Sequence, residues 1–155
     1  MTIEKINFLK NEFIGKLNNL SADTKGKWGK MNAQQMVEHV TGFFLVSTGK
    51  LNIPLVSPPE HLQKLKAFLL SEKEFRENTK APFGILPEDP LPLRKTNMSE
   101  AISELEKAIQ NFFLYYEQNI LHKKTHPVFG ELNFLEWVQL HHKHVTHHLK
   151  QFALI

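Results

Sequence analysis

Cysteine is absent from the 155 residues. Disulfides, thiolate nucleophiles and cysteine-based zinc sites are therefore excluded. The absence also fits a reducing compartment. No apolar run approaches the ~18 residues that span a bilayer. The N-terminal stretch MTIEKINFLKNEF carries Glu4 and Glu12, unlike a secretory signal. These features predict a cytoplasmic protein with no membrane partner. The formal charge is only +3 and the lysines are scattered, with no long basic run. That describes a solvated surface and speaks against nucleic acid as a partner. Strand alternation and internal repeats are missing too, so the chain reads as all-α, one domain over residues 1–155 with a real core.

What is present is helical periodicity. Ile6, Leu9, Phe13, Leu17 and Leu20 recur at spacings of three and four and predict a first helix over Thr2 to Leu20, with Lys5, Lys10 and Asn18 facing water. A second helix is expected from Ala33 to Thr48. Asn32 and Gln35 form a capping box at its start, Gly49 follows it, and Met36, Val40, Phe43 and Phe44 point inward. Ser57-Pro58-Pro59-Glu60 opens a shorter, charged helix reaching about Arg76. The stretch from Thr79 to Thr96 holds Pro82, Pro87, Pro90 and Pro92 among apolar side chains. It reads either as a lid over a binding site or as a crossover draped on the bundle. In the lid reading, Phe83, Ile85 and Leu86 form an apolar wall. Asn97 and Glu100 cap a long helix to about Gln118, and Asn133 and Glu136 cap a last one to about Phe152. Four main helices plus a short one make a helical bundle.

The last helix, NFLEWVQLHHKHVTHHLKQF, contains five of the nine histidines. Phe134, Val138, Val145, Leu149 and Phe152 define its apolar stripe. At about 100° per residue, His141, His144 and His148 share one shoulder of that stripe. His142 falls on the other shoulder, and His147 points away. His144 and His148 are four residues apart, the spacing by which a helix offers two imidazoles to one ion. His39 holds a similar shoulder position on the second helix. Three neutral imidazoles suit zinc, nickel, iron or copper(II), and a three-ligand set leaves positions open for chemistry. From spacing alone, His141 with His144 competes with His144 and His148, and edge histidines more often serve only as hydrogen-bonding residues.

Several motifs carry a resemblance over nearly the whole chain. They are Trp28-Gly29-Lys30-Met31, then Gln35 to His39, His126-Pro127-Val128-Phe129-Gly130, Glu136-Trp137, and His144 to Phe152. The sequence resembles the DinB-like (YfiT-like) superfamily, in its branch ending HPxFG…EW…HxxHHLxQF. The resemblance implies a four-helix bundle in up-down-down-up order, often a homodimer. It also implies a divalent metal held by His39, His144 and His148, zinc or nickel, with iron as a further candidate. Some members of that superfamily are thiol S-transferases using a low-molecular-weight thiol, and others are labelled hydrolases. The expectation is thus a metal-dependent enzyme acting on a small molecule. Hydrolysis, or a non-enzymatic stress-related or ligand-binding bundle, stands as the alternative. Glu38, Glu136 and His141 are the nearest candidates for supporting a ligand or serving as general base.

Overall fold

The apolar spacing of the first helix holds, but its continuity does not. A computed structural model describes residues 2–79 and 86–155. In it the first run consists of α1 (Thr2–Asn7), a π-turn (Phe8–Glu12) and α2 (Phe13–Leu17). The Phe13 N–H bonds to the Phe8 carbonyl, which accommodates one extra residue in that turn. One residue is worth about 100° of rotation, so the face of α1 turns relative to that of α2. Leu9, Phe13 and Leu17 are fully buried, whereas Ile6 is only partly so. Lys5, expected to face water, is buried instead, and its ammonium donates to Glu72 and Gln139.

Helix α3 (Ala33–Ser47) starts with the expected capping box: Asn32 accepts from the Gln35 N–H, and the Gln35 side chain accepts from the Asn32 N–H. A 3₁₀ turn (Pro59–His61) leads into α4 (Leu62–Leu70), which stops six residues before the expected Arg76. The helix ends there because the chain beyond it is recruited by the last helix. The Ser71 carbonyl accepts from Lys143 Nζ and Gln139 Nε2, and the Lys73 carbonyl also accepts from Lys143. Helix α5 (Met98–Gln118) is capped by Asn97. Where a loop without strands was expected, β1 (Lys124–His126) and β2 (Gly130–Leu132) form an antiparallel hairpin in register Lys124–Leu132, Thr125–Glu131 and His126–Gly130. Gly130 takes the positive φ that closes its turn. Helix α6 (Phe134–Gln151) has the Asn133–Glu136 capping box.

The chain is mostly helical. Helix α3 packs along α5, and α6 packs against α1, α4 and α3. Their apolar faces meet in one cluster that includes Leu9, Phe13, Met36, Phe44, Leu105, Phe112, Tyr116, Val138 and Leu149. Among the described residues, no helix is long and apolar enough to cross a membrane.

Candidate metal centre

Helices α3 and α6 bring His39, His144 and His148 together. His144 Nε2 lies 3.0 Å from His39 Nε2 and 3.0 Å from His148 Nε2. One nitrogen from each ring falls within 4.8 Å of the other two. The ring planes are steeply inclined, at 73° to 81°, so the lone pairs converge from different directions.

The tautomer of His148 follows from its neighbours. The Trp28 carbonyl can only accept, so the Gln151 amide must turn Nε2 toward it, at 2.9 Å. Gln151 Oε1 therefore faces His148 Nδ1 at 2.7 Å and accepts its hydrogen. His148 Nε2 is left bare, as a ligand must be. The loop carrying Trp28 fits closely around Gln151. A Cβ on Gly26 would sit 2.9 Å from Gln151 Cγ, and one on Gly29, where φ is +79°, would sit 2.8 Å from Gln151 Nε2.

The donor set fits a divalent ion. With His148 Nε2 bare, only a hydrogen on His144 can bridge their contact, and that same hydrogen also faces His39 Nε2. A cation could replace this shared hydrogen and would take one lone pair from each ring. Tetrahedral coordination at metal–nitrogen distances of ~2.05 Å separates ligand nitrogens by about 3.3 Å, within a few tenths of an ångström of the contacts present. The rings are also held neutral. Burial, followed by the charge of His147, pushes His39 down to about 4. Burial, followed by the neighbouring histidines, pushes His144 and His148 well below the ordinary imidazole value.

The other sequence candidates lie elsewhere. His141 is turned into the core and stacked on Phe44 at 3.8 Å. Ser47 gives its hydroxyl hydrogen to the Phe44 carbonyl, so it accepts from His141 Nε2 at 2.9 Å. Of the two pairings open from spacing, the structure brings His144 together with His148. Glu38 anchors the chain after the proline-rich stretch, accepting from the Arg94 and Lys95 N–H groups and from Gln34. Glu136 is occupied by its capping box and by Lys66 at 2.6 Å. The half-buried His142 meets the Phe8 ring edge-on.

The histidine cluster borders a groove of about 1760 Å³. This exceeds the ~300–1,000 Å³ of a typical small-molecule pocket, because it extends from the cluster along Phe43, Phe75 and the hairpin to the 86–92 stretch. Leu86 belongs to the wall, as the lid reading requires, while Phe83 and Ile85 lie outside the described residues. Asp89 pairs with Lys30 at 3.0 Å, joining this stretch to the loop that carries Trp28. His147, expected to point away, lines the groove between Trp28 and Phe75. Gln151 and His126 are the site residues that received no role from the sequence. For Gln151 the available signal was its position three residues after His148, on the same face of the helix.

A mostly helical fold with three converging imidazoles at the head of an apolar groove defines the class of protein. Residues 62–154, more than half of the chain, match the family described as "Protein of unknown function (DUF1569)", and the protein belongs to that family. The family is DinB/YfiT-like. The match includes His144 and His148, while His39 lies before it. Searches of curated proteins and of solved structures found no match.

Proposed function

We propose that this protein is a metal-dependent enzyme acting on a small molecule, with a divalent ion held by His39, His144 and His148. One observation carries the reading: three Nε2 atoms on two helices converge at the head of an apolar groove. His39, His144 and His148 would hold the ion, and when bound it would supply Lewis acidity to stabilise the thiolate of a low-molecular-weight thiol. The protein's own residues hold the ion, keep the imidazoles neutral and wall the electrophile away from water. The thiolate sulfur bonds to the electrophilic carbon, and the leaving group departs with its bonding pair.

The same ion would lower the pKa of bound water to about 7, so hydrolysis is the second reading. The three sequence candidates for a general base are each engaged in the structure. Glu38 holds backbone N–H groups, Glu136 caps α6, and His141 is bonded in the core. The reading includes membership of the HPxFG branch, the up-down-down-up order and a homodimer, with neither nucleic acid nor membrane as partner.

Metal analysis of protein purified without added metal, then reloaded, tests the ligand set. His39→Ala, His144→Ala and His148→Ala should each lose most of the bound ion, while His142→Ala and His147→Ala keep it. Full occupancy in His39→Ala would sink the site. The loaded enzyme should conjugate chlorodinitrobenzene in the presence of glutathione or bacillithiol. Metal binding without turnover would leave a ligand-binding bundle.

A further inference from the structure

The hairpin that replaces the expected loop presents a histidine with one free nitrogen. His126 ends β1 and lines the groove. Its Nδ1 accepts two backbone hydrogens, from Val128 at 3.0 Å and Phe129 at 3.3 Å. That structural duty requires Nδ1 to be bare, so in the neutral ring the hydrogen is on Nε2. Among the described residues no protein group accepts from His126 Nε2. Nor is that atom sealed: among the described residues, Trp137 Nε1 is the one fully buried side-chain nitrogen or oxygen without a partner. His126 Nε2–H is therefore a donor of fixed direction on a residue that lines the groove.

Its position relates it to the histidine cluster. The Phe43 ring stacks on His126 at 5.5 Å and meets the rings of His144 and His39 at 5.3 Å each. A ligand lying across Phe43 reaches the cluster with one end and His126 with the other. The surroundings supply apolar surface, from Phe43, Phe129 and Leu140. Burial keeps the ring neutral, with its imidazole pushed down to about 3, so it donates across the whole ordinary pH range.

We infer that His126 is a positioning residue for the ligand, its Nε2–H donating to a carbonyl or carboxylate oxygen on the apolar-bodied small molecule that reaches the histidine cluster. This rests on the metal reading for the other end of the molecule but not for the donor itself. The tautomer also sets specificity, because a group that can only donate, such as an ammonium, finds no acceptor at this nitrogen.

Benzoate is the probe, with benzylamine as its donor-only counterpart. His126→Asn is the informative variant, since Asn Oδ1 can take over the acceptor role of Nδ1 while its amide nitrogen ends one bond short of Nε2. The zinc-loaded variant should keep its metal and its fold and bind benzoate about tenfold or more weakly, the effect of losing a hydrogen bond to a charged acceptor. Benzylamine binding should be weak in both proteins. Nitrogen-15 NMR of the imidazoles should place the His126 hydrogen on Nε2, with that proton shifting downfield as benzoate is added. The same titration on metal-free protein separates the two readings. A benzoate-dependent shift in a protein that takes up no metal would retain the donor and remove the metal. A hydrogen on Nδ1, no benzoate binding by the wild type, or wild-type benzoate affinity in zinc-loaded His126→Asn would overturn the inference.

Discussion

Gln151 decides which nitrogen of His148 is bare. It does so because its own orientation is fixed by a partner with no choice, the Trp28 carbonyl. Removing the amide frees His148 to rotate and to place its hydrogen on Nε2, where it blocks coordination. Gln151→Ala should therefore bind zinc about 10- to 100-fold more weakly, the usual cost of losing a ligand's outer hydrogen bond. Competition against a chromophoric chelator measures this, and unchanged affinity would remove Gln151 from the site. His126 carries a different consequence. Its folded-state value of about 3, set by burial, lies below the ~6.5 of an exposed imidazole. Between those values the unfolded chain binds the extra proton. The stability contributed by the neutral ring is complete above about pH 6.5 and falls by roughly 1.4 kcal/mol per pH unit as pH drops towards 3. His39, lowered to about 4 chiefly by burial, acts in the same direction. Urea midpoints of metal-free protein should thus fall between pH 7 and pH 5, and His126→Asn should flatten part of that slope. A midpoint unchanged over this range would contradict burial of neutral imidazoles.

At the scale of elements, the sequence was legible wherever a local rule had no competitor. The Asn32–Gln35 and Asn133–Glu136 boxes appear as read, because each satisfies its backbone donors within four residues. Helix geometry put His144 with either His141 or His148, since i,i+3 and i,i+4 both share a face, and the motif resemblance pointed to His148. The failures share a different cause. The π-turn at Phe8–Glu12 leaves the three-and-four spacing of Leu9, Phe13 and Leu17 unchanged, so periodicity could not report that α1 had rotated and buried Lys5. Helix α4 ends where Lys143 and Gln139, some seventy residues away, claim the carbonyls of Ser71 and Lys73. A distant partner of that kind leaves no mark near residue 71. The hairpin strands are three residues each, too short to alternate visibly. Their folding depends on His126 reaching back to the N–H groups of Val128 and Phe129. His141 and His144 share a shoulder on the helical wheel, and it is Ser47 and the Phe44 ring on the facing helix that engage His141 in the core.

For the whole molecule, the question is whether an ion at the histidine cluster would build the fold or occupy one already built. The buried cluster joins α2, α3, α5 and α6 through Phe13, Met36, Phe112 and Val145, none of which is a candidate ligand. His39 and His144 sit at its edge, only partly buried, beside the groove. Apolar burial of this extent supplies the driving force for folding without the ion. Metal-free protein should therefore remain helical by far-ultraviolet circular dichroism, and the ion should add stability by mass action alone. At free zinc about 100-fold above its Kd, that addition is about 2.7 kcal/mol. For a chain of this size it corresponds to a rise in Tm of roughly 5 to 11 °C. The rise should grow with zinc concentration, as linkage requires, and disappear in His144→Ala, which removes the candidate ligand central to both 3.0 Å contacts. A metal-free protein that is unfolded at room temperature would make the ion part of the core. That result would count against an open site with positions free for a substrate.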